Sequence, residues 1–209
     1  MKTLLDPDTQ AVTGLLRAAV TDSGLSQAAF ARALGTSAPR LSTYLSGTTC
    51  PSARFCARAS RLGRALRAAA ARGLMSAPTT AALMRRHLLA GEVEWVWRAL
   101  LQGRDHLTLL LAEESRALQP RPGPVLSDSW EAIPGSTGAE GWDALLAAVT
   151  AHEFELAGTG APSWTRREAL QEPWTPEHPF LSTERVRAQT PAWLRRWNVY
   201  VPERDLTTA

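Results

Sequence analysis

The chain has 209 residues, 44% of them hydrophobic, and a formal net charge of +3 at pH 7, an ordinary globular composition with room for one large domain or two small ones. No apolar run approaches the roughly 20 residues that cross a bilayer, and the opening MKTLLDPD lacks a signal-peptide core, so a soluble, cytoplasmic protein without a membrane partner is expected. Twenty-two arginines stand against one lysine, Lys2, and alanine is abundant, a composition that suggests a GC-rich bacterial genome.

The small net charge conceals an asymmetry. Residues 1–78 hold ten basic and three acidic side chains, net +7, whereas residues 79–209 hold thirteen and seventeen, net −4, together with all eight tryptophans. Two domains are therefore expected, 1–78 and 79–209, with a boundary at the small, polar, proline-containing stretch MSAPTT, 75–80. A field of the sign found in the first domain attracts phosphate and makes binding salt-dependent.

In chain order, residues 8–22 open with acidic side chains suited to a helix N-terminus, and Val12, Leu15, Leu16, Ala19 and Val20 make one apolar face. Arg17 on that helix reads as solvated or phosphate-facing. Ser26 is a natural N-cap for a short helix in which Ala28, Ala31 and Leu34 repeat on one side with Phe30 beside them. Gly35 ends it, because a position with positive φ suits glycine. Thr36 or Ser37 caps the next helix, and Pro39 is tolerated only in its first turn. There Leu41, Tyr44 and Leu45 face inward, Ala38, Pro39, Arg40 and Thr43 outward, and Gly47 stops the helix.

From Pro51 to about Gly73 a long helix is expected, capped near Thr49 or Cys50. Phe55, Ala59, Leu62, Leu66 and Ala69 form its apolar face; Arg54, Arg58, Arg61 and Arg72 form a basic stripe that is either a phosphate track or a solvated face. Cys50 and Cys56 lack zinc-ligand spacing and read as reduced structural cysteines.

The order LSQxxFAxxLGTS, then RLSxYLSG, then Pro-Ser before the long helix, resembles the helix-turn-helix of the phage-repressor (Cro and C1, xenobiotic-response-element) class over about residues 10 to 70. The resemblance implies a sequence-specific DNA-binding transcriptional regulator, most simply a repressor. It places Ser37, Ala38, Pro39, Arg40 and Thr43 against base edges, and Gln27 against a phosphate. Thr48, Thr49, Arg54 and Arg58 complete the phosphate set. Ala38 and Pro39 stand where many relatives carry polar readers, and Leu45 where an acidic residue is common. One such unit covers few base pairs, so a homodimer on two half-sites of double-stranded DNA is expected.

Beyond residue 79, TTAALMRRHLLAG, EVEWVWRALLQG and RDHLTLLLAEESRAL read as three helices punctuated by Gly91 and Gly103. Leu83, Met84, Leu88, Trp95, Trp97, Leu100, Leu107, Leu110 and Leu111 would feed a shared core. QPRPGP, 119–124, reads as a linker, and the stretch on to Gly141 as an ordered loop or a flexible excursion. A helix follows from about Trp142 to Ala157. In the proline- and tryptophan-rich end WNVYV is the one plausible strand, and Trp164, Trp174, Trp193 and Trp197 are either core or partner surface. The fold class expected is mainly α: a four- or five-helix helix-turn-helix domain and a helical second domain with at most a short strand. PSWT, EPW and PAWLxRxNVYV resemble the C-terminal segments of bacterial helix-turn-helix proteins encoded beside predicted nucleotidyltransferase toxins. That likeness implies an antitoxin whose residues 79–209 meet a toxin.

Catalytic patterns are begun and not finished. HEFEL, 152–156, has Leu156 where HExxH needs its second histidine. Gly135, Ser136 and Asp143 open a nucleotidyltransferase-like site, but Leu145 occupies the second carboxylate position, without which two metals cannot be held. No P-loop, dinucleotide fingerprint or nucleophile elbow is present, so no enzyme activity, metal or cofactor is expected.

Overall fold

In the computed structural model the described residues are 6–117, 123–178 and 180–207. The helices run α1 Pro7–Ser23, α2 Gln27–Ala33, α3 Ala38–Leu45, α4 Ala53–Ala71, α5 Ala77–Leu89, α6 Val93–Ser115, α7 Asp128–Glu131, α8 Glu140–Leu156, α9 Thr183–Gln189 and α10 Ala192–Arg195. The chain is mainly helical, and none of the helices among the described residues is long and apolar enough to cross a membrane.

The chain divides into two compact units, Met1–Pro78 with Gln119–Gly135, and Thr79–Leu118 with Ser136–Ala209. In the first, the starts of α1 to α4 are fixed locally. Asp6 caps α1 by accepting from the amides of Asp8 and Thr9, and Ser26, Ser37 and Ser52 cap α2, α3 and α4. The cap of α4 is thus Ser52, not Thr49 or Cys50. α1 and α4 pack closely because Gly63 has no side chain: a Cβ there would lie 2.6 Å from the Ala19 carbonyl oxygen. Leu16, Phe30, Leu41, Ala59 and Leu62 are fully buried between them. Phe30, expected at the margin of the α2 face, is its centre, while Ala28 is exposed and Leu15 of α1 is 40% exposed.

The segment expected as linker and excursion differs in its second half; residues 119–122 of QPRPGP lie outside the described residues. Residues 128–131 form α7 against α4, Trp130 is 1% exposed, and its Nε1 donates to the Met75 carbonyl at 3.0 Å. A buried indole must satisfy its N–H, and the Met75 carbonyl, distant in sequence, supplies an acceptor. Within MSAPTT, Met75, Ser76, Ala77 and Thr80 are buried and α5 begins at Ala77. Its proline occupies a first helical turn, where a missing N–H costs nothing.

In the second unit α8 is buried on nearly every side, from Trp142 and Leu145 to Val149 and Phe154. Around it the two helices expected between Glu92 and Leu118 are one, α6, which runs through Gly103 without a break. A Cβ on Gly103 would lie 2.6 Å from Thr80 Oγ1, so this glycine admits α5 rather than ending a helix. Trp142 meets Trp97 and Trp174 edge to face at 5.0 and 5.4 Å between ring centroids, and the indole of Trp174 lies on Gly141, where no side chain fits. Trp95, expected in this core, is 50% exposed beside His87 and Arg98.

Of the tail tryptophans, Trp197 is buried and Trp164, Trp174 and Trp193 are half-buried. WNVYV does not become a strand. Trp174 N donates to Asn198 O and Tyr200 N to Trp174 O, a single parallel bridge between Trp174 and Val199. Asn198 has φ +57°, a left-handed conformation that interrupts the extended run a ladder needs.

Candidate nucleic-acid interface

α2 ends at a left-handed glycine. Gly35, with φ +72°, donates to the Arg32 carbonyl at 2.8 Å, and Thr36 N reaches back to the Ala31 carbonyl at 2.9 Å. This closing turn satisfies the Ala31 and Arg32 carbonyls and redirects the chain at once into α3. Ser37, rather than Thr36, is the cap there: its hydroxyl oxygen accepts from Arg40 N at 3.3 Å.

α3 is amphipathic over a short length. Leu41 is fully buried and Tyr44 nearly so, packed on Phe55 of α4 with ring centroids 5.1 Å apart. Pro39, Arg40, Ser42 and Thr43 are exposed. Ala38 is not outward as expected: it is half-buried against the core, because it occupies the first helical turn beside the helix crossing. The Arg40 guanidinium folds along its own helix. Nε donates to Tyr44 Oη at 2.8 Å, so both terminal nitrogens remain to donate elsewhere. Thr43 Oγ1 donates to the Arg40 carbonyl at 2.8 Å and keeps its lone pairs as acceptors.

The far end of α3 is held by Arg17, whose Nη2 donates to the Leu45 carbonyl at 2.8 Å. A cation at a helix C-terminus is favoured by the aligned peptide dipoles as well as by the hydrogen bond. Arg17, expected as a solvated or phosphate-facing side chain, is exposed and also holds the end of this helix.

Beside this face lie Gln27 at the start of α2, Thr48 and Thr49 in the loop after α3, and Arg54 in the first turn of α4, all exposed; Arg58 is half-buried. Thr48 Oγ1 shares a 2.8 Å hydrogen bond with the Ser46 hydroxyl. The basic stripe of α4 is not continuous. Arg61 is bound to Asp128 and Glu131 of the α7 segment, and although burial opposes its charge, those two carboxylates hold its pKa above the ordinary arginine value. Arg67 pairs with Asp22 at 2.9 Å. Neither assignment was visible locally, since both acceptors are remote in sequence. Cys50 and Cys56 are free thiols, and burial raises the Cys56 pKa.

The helix-turn-helix family model matches residues 16–62. This segment is a Cro/C1-type DNA-binding helix-turn-helix. The match covers α2 and α3 whole, the second half of α1 and the first half of α4. No curated protein and no solved structure matches the chain.

The residues that begin catalytic patterns have other partners. His152 stacks on Trp193 with ring centroids 4.0 Å apart, and burial lowers its pKa. Glu153 pairs with Arg104 at 2.7 Å and accepts from Thr108 Oγ1. Asp143 accepts from Thr137 N and from the Ser136 hydroxyl, each at 2.7 Å, which ties down the loop before α8.

Proposed function

We propose that the protein is a sequence-specific transcriptional repressor that reads the DNA major groove with α3 and binds two half-sites as a homodimer. The observation that carries this reading is the exposed face of α3, fixed by Ser37 at one end, Leu41 and Tyr44 beneath, and Arg17 at the other. Arg40 donates its terminal nitrogens to guanine N7 and O6, and Ser37 and Thr43 offer hydroxyls to base edges. Pro39 and the exposed part of Ala38 meet a thymine methyl. Gln27, Thr48, Thr49, Arg54 and Arg58 hold phosphates and set the register. With so few polar readers, DNA shape and half-site spacing of about one helical turn carry the remaining specificity.

Selection of bound duplexes from a random pool by the full chain is expected to enrich a two-fold-symmetric site. On that site Arg40→Ala loses ~1–3 kcal/mol of discrimination at one base pair per half-site. Failure to enrich any site, or full discrimination by Arg40→Ala, sinks the assignment.

A second reading, an antitoxin in a bacterial cytoplasm that autoregulates its operon and masks a toxin through residues 79–209, is favoured by apolar side chains left in water. Leu89 is 78% exposed, and Val93 and Trp95 follow it exposed at the start of α6. Such exposure marks partner surfaces more often than chance. Its test is co-purification of the full chain with the product of the adjacent gene.

A further inference from the structure

We infer that the segment from Leu126 to Gly135 is a positioning element for α3: it completes the DNA-binding unit from outside the matched helix-turn-helix and holds the α2–α3 turn. The inference rests on the DNA-binding reading of that unit and adds a component to it that the motif itself does not contain.

The segment touches the turn in three ways. The carbonyl of Ala33 is at the end of α2, where no following helical amide can reach it, and it accepts from Ile133 N at 3.1 Å. The side chain of Ile133 lies against one side of the turn glycine, with Cδ1 3.2 Å from where a Gly35 Cβ would stand. Two residues on, Gly135 lies against the guanidinium of Arg32, whose Nη1 is 3.0 Å from where a Cβ would be.

The same short stretch is anchored from below. Ala132 is fully buried within the core that holds Phe30 and Leu41. Trp130 is sealed in with its N–H on the Met75 carbonyl, and Asp128 and Glu131 grip Arg61 of α4. Pro134 follows Ile133 directly and restricts the backbone there to extended conformations. A rigid strip anchored on α4 and bonded to the end of α2 fixes the angle between α2 and α3. That angle sets where Arg40 and Thr43 stand relative to the groove, without the strip touching DNA.

The unit is therefore discontinuous in sequence. Its last component arrives only after α5 and α6 have been made, because Thr79–Leu118 of the second unit lies between. A chain ending at residue 78 leaves the Ala33 carbonyl without the Ile133 amide and the Ala132 position in the core empty.

The test uses the full chain. Hydrogen exchange of the Gly35 and Thr36 amides, both bonded in the turn, is compared among wild type, Ile133→Ala and Ile133→Val. Exchange in Ile133→Ala is expected to be about tenfold faster, with Ile133→Val close to wild type. On the duplex selected by wild type, Ile133→Ala loses about tenfold in affinity, while its affinity for random duplex is unchanged because the phosphate-facing charges are intact. Leu66→Val, a loss of packing in α4 away from the turn, leaves both the exchange and the specific-to-random ratio near wild type; an equal response there makes Ile133 merely structural and overturns the inference.

Glu131→Gln loosens the same segment from the Arg61 side and provides a second variant should Ile133→Ala fail to fold. Wild-type exchange at Gly35 and Thr36 in whichever variant folds overturns the inference. If wild type selects no duplex, the DNA-binding reading falls, and the exchange comparison still decides whether this segment holds the turn.

Discussion

In the first unit two arginines at or beside α3 lie at the surface: Arg40 and Arg54 are exposed, and among the described residues neither has a carboxylate partner. In the second unit two charged side chains of the central helix are paired, one inside the fold and one at its surface. Glu153 is nearly buried and bound by Arg104, which also donates to the Leu206 carbonyl, and Glu155 holds Arg196 at 2.7 and 3.0 Å. His178 accepts the amides of Phe180 and Leu181 on Nδ1 and donates from Nε2 to Asp205. A guanidinium left in solvent contributes little to folding and is free to meet a phosphate. A buried pair fixes how its helices register, and breaking it leaves a charge with nowhere to go. The first unit leaves Arg40 and Arg54 exposed while Arg17, Arg61 and Arg67 join its own elements; in the second, Arg104 and Arg196 are both paired to the central helix.

The largest expected effect tests the second half of that contrast. Arg104→Ala strands the Glu153 carboxylate and removes the donor to Leu206, and it is expected to cost ~3–5 kcal/mol in urea unfolding. A cost below about 1 kcal/mol, the range of exposed pairs, would place this pair with surface ones.

A smaller effect follows from His152. Burial favours its neutral form and outweighs the opposing carboxylates of Glu153 and Glu155, while Arg196 and Arg104 add to the lowering, so its folded pKa lies below the ordinary 6.5. The unfolded chain therefore binds the proton more readily. Stability from this group is fully present above pH 6.5 and is lost as pH falls through the folded value. Thermal unfolding between pH 7.5 and 5.5 is expected to show a fall that His152→Gln reduces, and equal slopes in the two proteins would remove His152 as the cause.

Smallest in stability is Arg54→Ala, expected to stay within ~0.5 kcal/mol of wild type because the side chain is exposed. Its consequence belongs to binding: affinity drops about equally for all duplexes, and the slope of log affinity against log salt falls by about one. An Arg54→Ala protein that unfolds as easily as Arg104→Ala would erase the difference between the units.

Much of α1 to α4 could be read directly from the residues. Ser26, Gly35, Ser37 and the spacing of Leu41 and Tyr44 act within one turn of chain, so caps, the turn and the buried side of α3 are encoded where they occur. Arg40 and Thr43 were legible as outward residues for the same reason. Ala38 was not, because whether a small residue is covered depends on the helix crossing it. Gly103 illustrates the limit from the other side. Glycine lowers helix propensity by ~1 kcal/mol relative to alanine, which reads as a break, yet the approach of Thr80 keeps α6 continuous.

The sequence by itself determined that this protein carries a helix-turn-helix, that its positive charge surrounds it, and that the chain is mainly helical, because capping, glycine turns and apolar periodicity are short-range effects. Tertiary structure alone decided the fates of Arg17, Arg61, Trp130 and Ile133. Their partners lie 28 residues away for Arg17 and 55 to 70 away for Arg61 and Trp130, and Ala33 lies farther still from Ile133. No local pattern marks such a pairing: a cation, an indole or an amide takes the acceptor that folding brings within reach.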